Sequence, residues 1–225
     1  MNRLDIIYED AEVLVVRKPA GLAVQTKRLG QKDLESMLKN HLAKKGKQPY
    51  IGIIHRLDQP VEGILVFAKT PKAAAVLSAQ AAEKIKGMKK EYLAVVCGNP
   101  DQPKGTLCDW LKKNGKTNLS SVVTKGTSDA KEAILDYEVL KYKEEEKRAL
   151  VKINLKTGRH HQIRVQMAHA GMPLYGDSKY NPEPGGGAVA LCAFRLTFVH
   201  PASKKTMTFE CNPKNPAFEE FEGLK

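Results

Sequence analysis

The sequence predicts a single α+β domain over residues 1–225. Three observations lead there. Short apolar runs bounded by Gly and Pro, which read as strands, dominate the chain. Helical periodicity is confined to a few separated stretches, with no regular strand–helix alternation. No repeat, low-complexity tract or linker divides the chain.

Val13-Leu14-Val15-Val16 is the first clear strand, and Lys18-Pro19-Ala20-Gly21 stops and turns it. From Gln31 to Lys45, Leu34, Met37, Leu38 and Leu42 recur at helical spacing, with Gly46 as the stop. Ile64–Ala68 reads as a buried strand. Thr70-Pro71 then supplies an N-cap and a first-turn proline for an Ala-rich helix ending near Gly87. Tyr92–Cys97 is another strand, followed by a polar loop from Gly98 to Gly105. Lys112–Lys131 is basic and weakly patterned, and is expected to be an extended surface excursion. Ile134–Leu140 and Leu150–Leu155 are strands joined across a charged turn at Lys143–Lys147. Gly158–Ala170 is a short helix, with Ile163 and Met167 one turn apart and Gly171 beyond its end. After a loop at Pro182–Gly187, Val189–Val199 and Thr206–Cys211 form a terminal hairpin turning at Ala202–Lys205.

Composition narrows the class. With 37 Lys plus Arg against 25 Asp plus Glu, the net charge is +12, which points to a polyanionic partner. The bland alternative is a merely soluble basic surface. The four cysteines, Cys97, Cys108, Cys192 and Cys211, form no C-x-x-C pair, so they are expected to be reduced thiols packed as small hydrophobes. Met1–Asp5 lacks an apolar signal segment, and no run approaches the roughly 20 apolar residues that span a bilayer. The expectation is a soluble cytoplasmic protein with no membrane partner.

Three clusters could carry chemistry. His55-Arg56-Leu57-Asp58 lies in a loop entering the strand at Ile64, where a rigid sheet commonly presents catalytic groups. An Arg two residues from an Asp is also a common surface ion pair. Thr157-Gly158-Arg159-His160-His161-Gln162-Ile163-Arg164 sets two cations and two histidines at a helix start, a natural site for an RNA phosphate. Adjacent histidines point about 100° apart on a helix and no H-E-x-x-H spacing exists, so no metal site is expected. Gly171-Met172-Pro173-Leu174-Tyr175-Gly176-Asp177 reads as a structural turn without chemistry of its own.

Taken in order, these clusters resemble a family. His55-Arg56-Leu57-Asp58-Gln59-Pro60-Val61-Glu62-Gly63-Ile64-Leu65-Val66-Phe67-Ala68-Lys69 is similar to the signature of the RluA-type pseudouridine synthases. Lys90-Glu91-Tyr92-Leu93-Ala94 and Thr157–Val165 match its second and third motifs, and Ile6–Asp10 through Lys18–Gly21 resembles its first strand and turn. The likeness runs from about Ile6 to Cys211. It implies a catalytic domain on a mixed, mainly antiparallel sheet with flanking helices. It also implies conversion of uridine to pseudouridine in ribosomal or transfer RNA, without cofactor, by a protein that acts as a monomer.

By the same resemblance Asp58 is the catalytic residue, Tyr92 stacks on the target base, and Arg164 pairs with Asp58 to keep the carboxylate ionised. Tyr92, at the start of a strand, would otherwise read as core. Arg56 would enter the RNA stack as the uridine leaves it. Ile163 would be an apolar wall, and His55, Arg159, His161 and Gln162 would join the RNA contacts. A single carboxylate suits an isomerisation, whereas hydrolytic glycosidases use two. It could attack the ribose or the base, or assist elimination.

Glu62, His160 and Gln166 depart from the usual pattern, which puts substrate contacts in question. The first motif begins near Ile6, so the short form without an S4 module is expected, with Lys112–Lys131 and the Lys84, Lys86, Lys89, Lys90 group supplying phosphate grip. A non-catalytic RNA-binding module is the rival reading, and a metal-dependent nuclease a third. The presence of Asp58, Tyr92 and Arg164 together favours the enzyme over the first. The clustered carboxylates and metal ligands that a metal-dependent nuclease requires are not found together, which speaks against the third.

Overall fold

The computed structural model describes residues 4–26, 30–43, 50–83, 87–98 and 100–221. The chain runs β1 (Asp5–Glu9), β2 (Val13–Lys18), α1 (Leu34–Ala43), β3 (Gly52–Ile53), β4 (Glu62–Ala68), α2 (Pro71–Ala82) and β5 (Lys89–Cys97). It continues through β6 (Lys104–Asn114), β7 (Leu119–Val123), β8 (Lys131–Lys143), β9 (Arg148–Leu155), α3 (Gln162–His169), β10 (Leu191–Val199) and β11 (Thr206–Glu210), and closes on a 3-10 turn at Pro216–Phe221. Two units form, residues 1–90 with 193–212 and residues 91–192 with 213–225.

In the first unit the strands order β1-β2-β4-β10, with β3 added to β4 and β11 to β10. Every residue of β4 is buried, as expected of an apolar run covered on both faces. The core gathers Val13, Val15, Ile64, Val66, Leu196 and Phe198 from the strands with Ala73 and Leu77 from α2. Burying each of the larger side chains contributes about 1.5–3 kcal/mol. Thr70 caps α2 as expected, its hydroxyl accepting the Ala73 N–H at 3.1 Å. Helix α1 starts three residues later than its apolar spacing suggests, because Asp33 accepts the Ser36 N–H at 2.8 Å and fixes the first turn there. The expected stop at Gly46 lies outside the described residues. Helix α2 ends at Ala82, short of the expected end near Gly87, and residues 84–86 between them also lie outside the described ones.

In the second unit the antiparallel order is β5-β9-β8-β6-β7. The expected α+β class, a mixed and mainly antiparallel sheet with flanking helices, is the one observed. The Lys112–Lys131 excursion is corrected. Strand β6 runs on to Asn114, and β7 returns beside it from Leu119, pairing Trp110 with Val123. From Lys104 to Cys108 alternate residues of β6 are exposed, and polar residues sit between its apolar ones, so the strand shows no long apolar run. Asn114 turns the hairpin by accepting the Lys116 and Thr117 N–H groups. The same strand starts at Lys104, inside the expected Gly98–Gly105 loop, and exposes Cys108, so that thiol is not packed in the core. The other three cysteines are buried or half-buried, and all four are free thiols. The terminal hairpin forms as expected, with Arg195 opposite Glu210 and Val199 opposite Thr206.

Candidate active site

Between β3 and β4 the chain crosses His55-Arg56-Leu57-Asp58-Gln59, and hydrogen bonds from backbone and side chain hold this loop to the turn after β2. Gly21 N–H donates to the Gln59 carbonyl at 2.8 Å, and the Gln59 side-chain amide returns a bond to the Gly21 carbonyl at 3.0 Å. The Val61 N–H donates to the Asp58 carbonyl at 3.1 Å. Leu57 is buried beneath the loop, Asp58 is half-buried and Arg56 is exposed. His55 turns inward, its Nε2 accepting the Val66 N–H at 3.5 Å. Burial, with the Lys90 charge nearby, lowers its pKa to about 3 and keeps the ring neutral.

Lys18 is a site residue that the sequence reading takes only as a strand end. Its side chain is fully buried, and Nζ donates to the carbonyls of Pro19, Leu22 and Gln59 at 2.9, 2.7 and 3.0 Å. Desolvation lowers its pKa to about 8, against the opposing pull of the Asp58 and Glu62 charges. The signal available in the sequence is a lysine closing a strand whose first four residues are apolar, a position where an ammonium has to be paired. Glu62 is buried as well, and Arg17 Nη2 binds its carboxylate at 3.2 Å and the Asn212 carbonyl at 2.6 Å. That departure from the family pattern is an internal ion pair.

In the second unit Tyr92 is buried on β5, opposite Ile153 of β9. Arg164, on α3, gives Nε and Nη2 to Asp177 at 2.7 and 2.6 Å, and both side chains are almost wholly buried. The turn that contains Asp177 therefore supplies a charge as well as structure. A buried guanidinium requires such a partner, and the forked geometry is the strong form of that bond.

Helix α3 starts at Gln162 rather than Gly158. Thr157 Oγ1 and the Arg159 N–H both donate to Gln162 Oε1, and His161 sits at φ 53°, which holds the preceding turn out of helix. Gln162, His161 and Ile163 are buried. Arg159 is half-buried, with Nε on the Glu132 carbonyl at 2.8 Å. Gln166 has no exposed surface and donates to Asp109 and to the Ala133 carbonyl, while His160 Nδ1 meets Ser120 Oγ at 2.9 Å. All three departing residues thus have partners inside the chain.

Among the described residues, no group of three His, Cys, Asp or Glu is arranged to hold a metal ion. No helix among them is long and apolar enough to cross a membrane. The first unit offers a half-buried carboxylate on a fixed loop with a buried ammonium behind it. The second offers a buried, clamped guanidinium and a buried tyrosine.

Comparison with known proteins bears on these features. The sequence pattern of the family described as RNA pseudouridylate synthase matches residues 12–169. An uncharacterized RNA pseudouridine synthase of Bacillus subtilis, YhcT, is 34% identical over 215 residues, covering 93% of this chain and 68% of the relative. The ribosomal large subunit pseudouridine synthase D of Neisseria meningitidis serogroup A is 36% identical over 222 residues, covering 92% of this chain and 57% of the relative. The chain thus spans between half and three quarters of the length of such relatives. The structure of human RNA pseudouridylate synthase domain containing 1 shares the fold, with a TM-score of 0.74 at 22% identity over 96% of this chain and 86% of that one. The extent of the family match and the level of identity place this chain in the RNA pseudouridylate synthase family, whose enzymes isomerise uridine in RNA.

Proposed function

We propose that the protein isomerises specific uridines in structured RNA through Asp58, without a cofactor. The observation that carries this reading is the placement of Asp58. It is the one carboxylate in the His55–Gln59 loop, and that loop is tied down by Gly21 and Lys18. The reaction breaks N1–C1′, turns the uracil and joins C5 to C1′. The proton leaving C5 is matched by one gained at N1, so the sum of atoms and electrons is unchanged. Asp58 supplies the anion that attacks or assists the elimination. Tyr92 stacks on the base, Ile163 lines its surroundings and Arg164 is the cation of the catalytic set.

Arg56, exposed on the same loop, is the residue suited to enter the RNA stack, and a planar cation offsets part of the few kcal/mol that base flipping costs. His55 supports that loop in its neutral form, while Arg159, His161 and Gln162 form the turn that meets the RNA backbone. The relative named for the large ribosomal subunit supports ribosomal RNA as the substrate, with transfer RNA the second candidate. Free thiols and an RNA substrate support a cytoplasmic location.

Asp58→Asn keeps the shape of the side chain and removes its charge. Turnover of a ribosomal RNA fragment is expected to fall by roughly 10³-fold or more, with RNA affinity largely kept. Activity at a tenth of wild type would sink the assignment.

A further inference from the structure

Arg164 is clamped by more than its carboxylate. Asp177 fixes the guanidinium in its own plane through two parallel bonds, but a forked pair leaves the plane free to tilt. The ring of Tyr180 lies against the guanidinium, with Cζ 5.2 Å from its centroid, inside the range of a cation–π contact. Tyr180 is itself seated, since its N–H donates to the Asp177 carbonyl at 3.3 Å and its ring packs beside Leu111, Ala133 and Val165.

The phenol end of the same residue reaches a different element. Its oxygen accepts the Ser120 N–H of β7 at 2.8 Å and meets His161 Nδ1 at 2.7 Å. Ser120 also holds His160 through its hydroxyl, and the His160 and His161 rings stack at 3.8 Å. The β6–β7 hairpin that Ser120 anchors carries Lys112, Lys113 and Lys116 at its solvent end. Lys179, the neighbour of Tyr180, adds a bond from Nζ to the Asn118 carbonyl in the hairpin turn.

We propose that Tyr180 is a positioning residue that couples this basic hairpin to Arg164: its ring sets the tilt of the guanidinium and its hydroxyl ties the hairpin to the start of α3. RNA gripping the hairpin lysines and the guanidinium acting in the reaction are then held in one rigid arrangement. This rests on the proposed role of Arg164 and adds a residue to it.

The two ends of Tyr180 can be removed separately. Tyr180→Phe keeps the ring and loses the oxygen, so kcat at saturating RNA stays within about twofold while KM rises about fivefold to tenfold, the loss of one or two hydrogen bonds. Tyr180→Met fills similar volume without a ring, and kcat itself falls about tenfold to 100-fold, the scale of a small misplacement of a catalytic group. The Phe variant thereby moves KM alone and the Met variant kcat, a split that a general loss of packing would not produce. Full kcat in the Met variant overturns the positioning role, and an unchanged KM in the Phe variant overturns the tether. The Phe variant lacks a single oxygen and decides the tether alone if the Met variant does not fold. Arg164→Met, measured alongside, separates the two claims. If it keeps full activity, the role of Arg164 itself is wrong; if it is impaired while Tyr180→Met is not, only the coupling fails.

Discussion

A lysine with no solvent exposure has to find its hydrogen bonds inside the protein, and Lys18 finds three, on the carbonyls of Pro19, Leu22 and Gln59. These bonds join the end of β2 to the loop that carries Asp58, so the residue couples a core strand to the candidate carboxylate. Its pKa near 8, against the ordinary 10.5, has a consequence for stability. Below pH 8 both folded and unfolded chains hold the proton, and the burial penalty is fully present. Between pH 8 and 10.5 the folded protein has released a proton that the unfolded chain still holds, so this residue's contribution to stability rises with pH. At about 1.4 kcal/mol per pH unit the gain is roughly 3 kcal/mol. Urea unfolding at pH 7.5 and pH 9.5 is expected to show this component in the wild type and not in Lys18→Met. Equal pH dependence in the two proteins would contradict it. Asp177 is likewise a fully buried charge with its partner inside the protein, held by the Arg164 fork.

At the scale of elements, β4 is where register matters most. Gly63 sits opposite Lys18 on β2 at φ 127°, and a Cβ there would come within 2.4 Å of the Ala193 carbonyl oxygen on β10. The glycine is required twice over, for its dihedral angle and for the close approach of two backbones. Gly63→Ala should cost about 4 kcal/mol or more, the range of clashes that the backbone itself must absorb. A urea midpoint within the error of wild type would show that β4 and β10 can separate there cheaply. The β6–β7 hairpin illustrates the opposite case. Its strands are half-exposed and mix polar with apolar residues, so their local pattern is weak, and the pairing of β6 with β8 from Lys104 to Leu111 and of β7 with β6 is what makes them strands. Helix α3 was legible as a helix but not in its start, because the turn before it is held by a side chain five residues from Thr157, that of Gln162.

Over the whole molecule the charge of +12 predicts RNA binding that weakens steeply with salt. If the hairpin lysines grip phosphates, replacing Lys112, Lys113 and Lys116 with Gln should make the log–log salt slope shallower by roughly 2. An unchanged slope would move the phosphate contacts elsewhere. The sequence by itself determined the α+β class, the apolar strands β2, β4, β5 and β9, the capped helix α2 and the terminal hairpin, because each is written in local periodicity and turn chemistry. Its motifs also determined the family, and with it the expectation that Asp58, Tyr92 and Arg164 act together. Only the tertiary structure decided that Lys18 is buried behind the Asp58 loop, that Glu62 is neutralised by Arg17, and that Asp177 and Tyr180 clamp Arg164. The partners in those contacts lie 13 to 45 residues apart. A buried charge must be paired, but the sequence does not say by which residue, since that depends on which strands and turns the fold brings side by side.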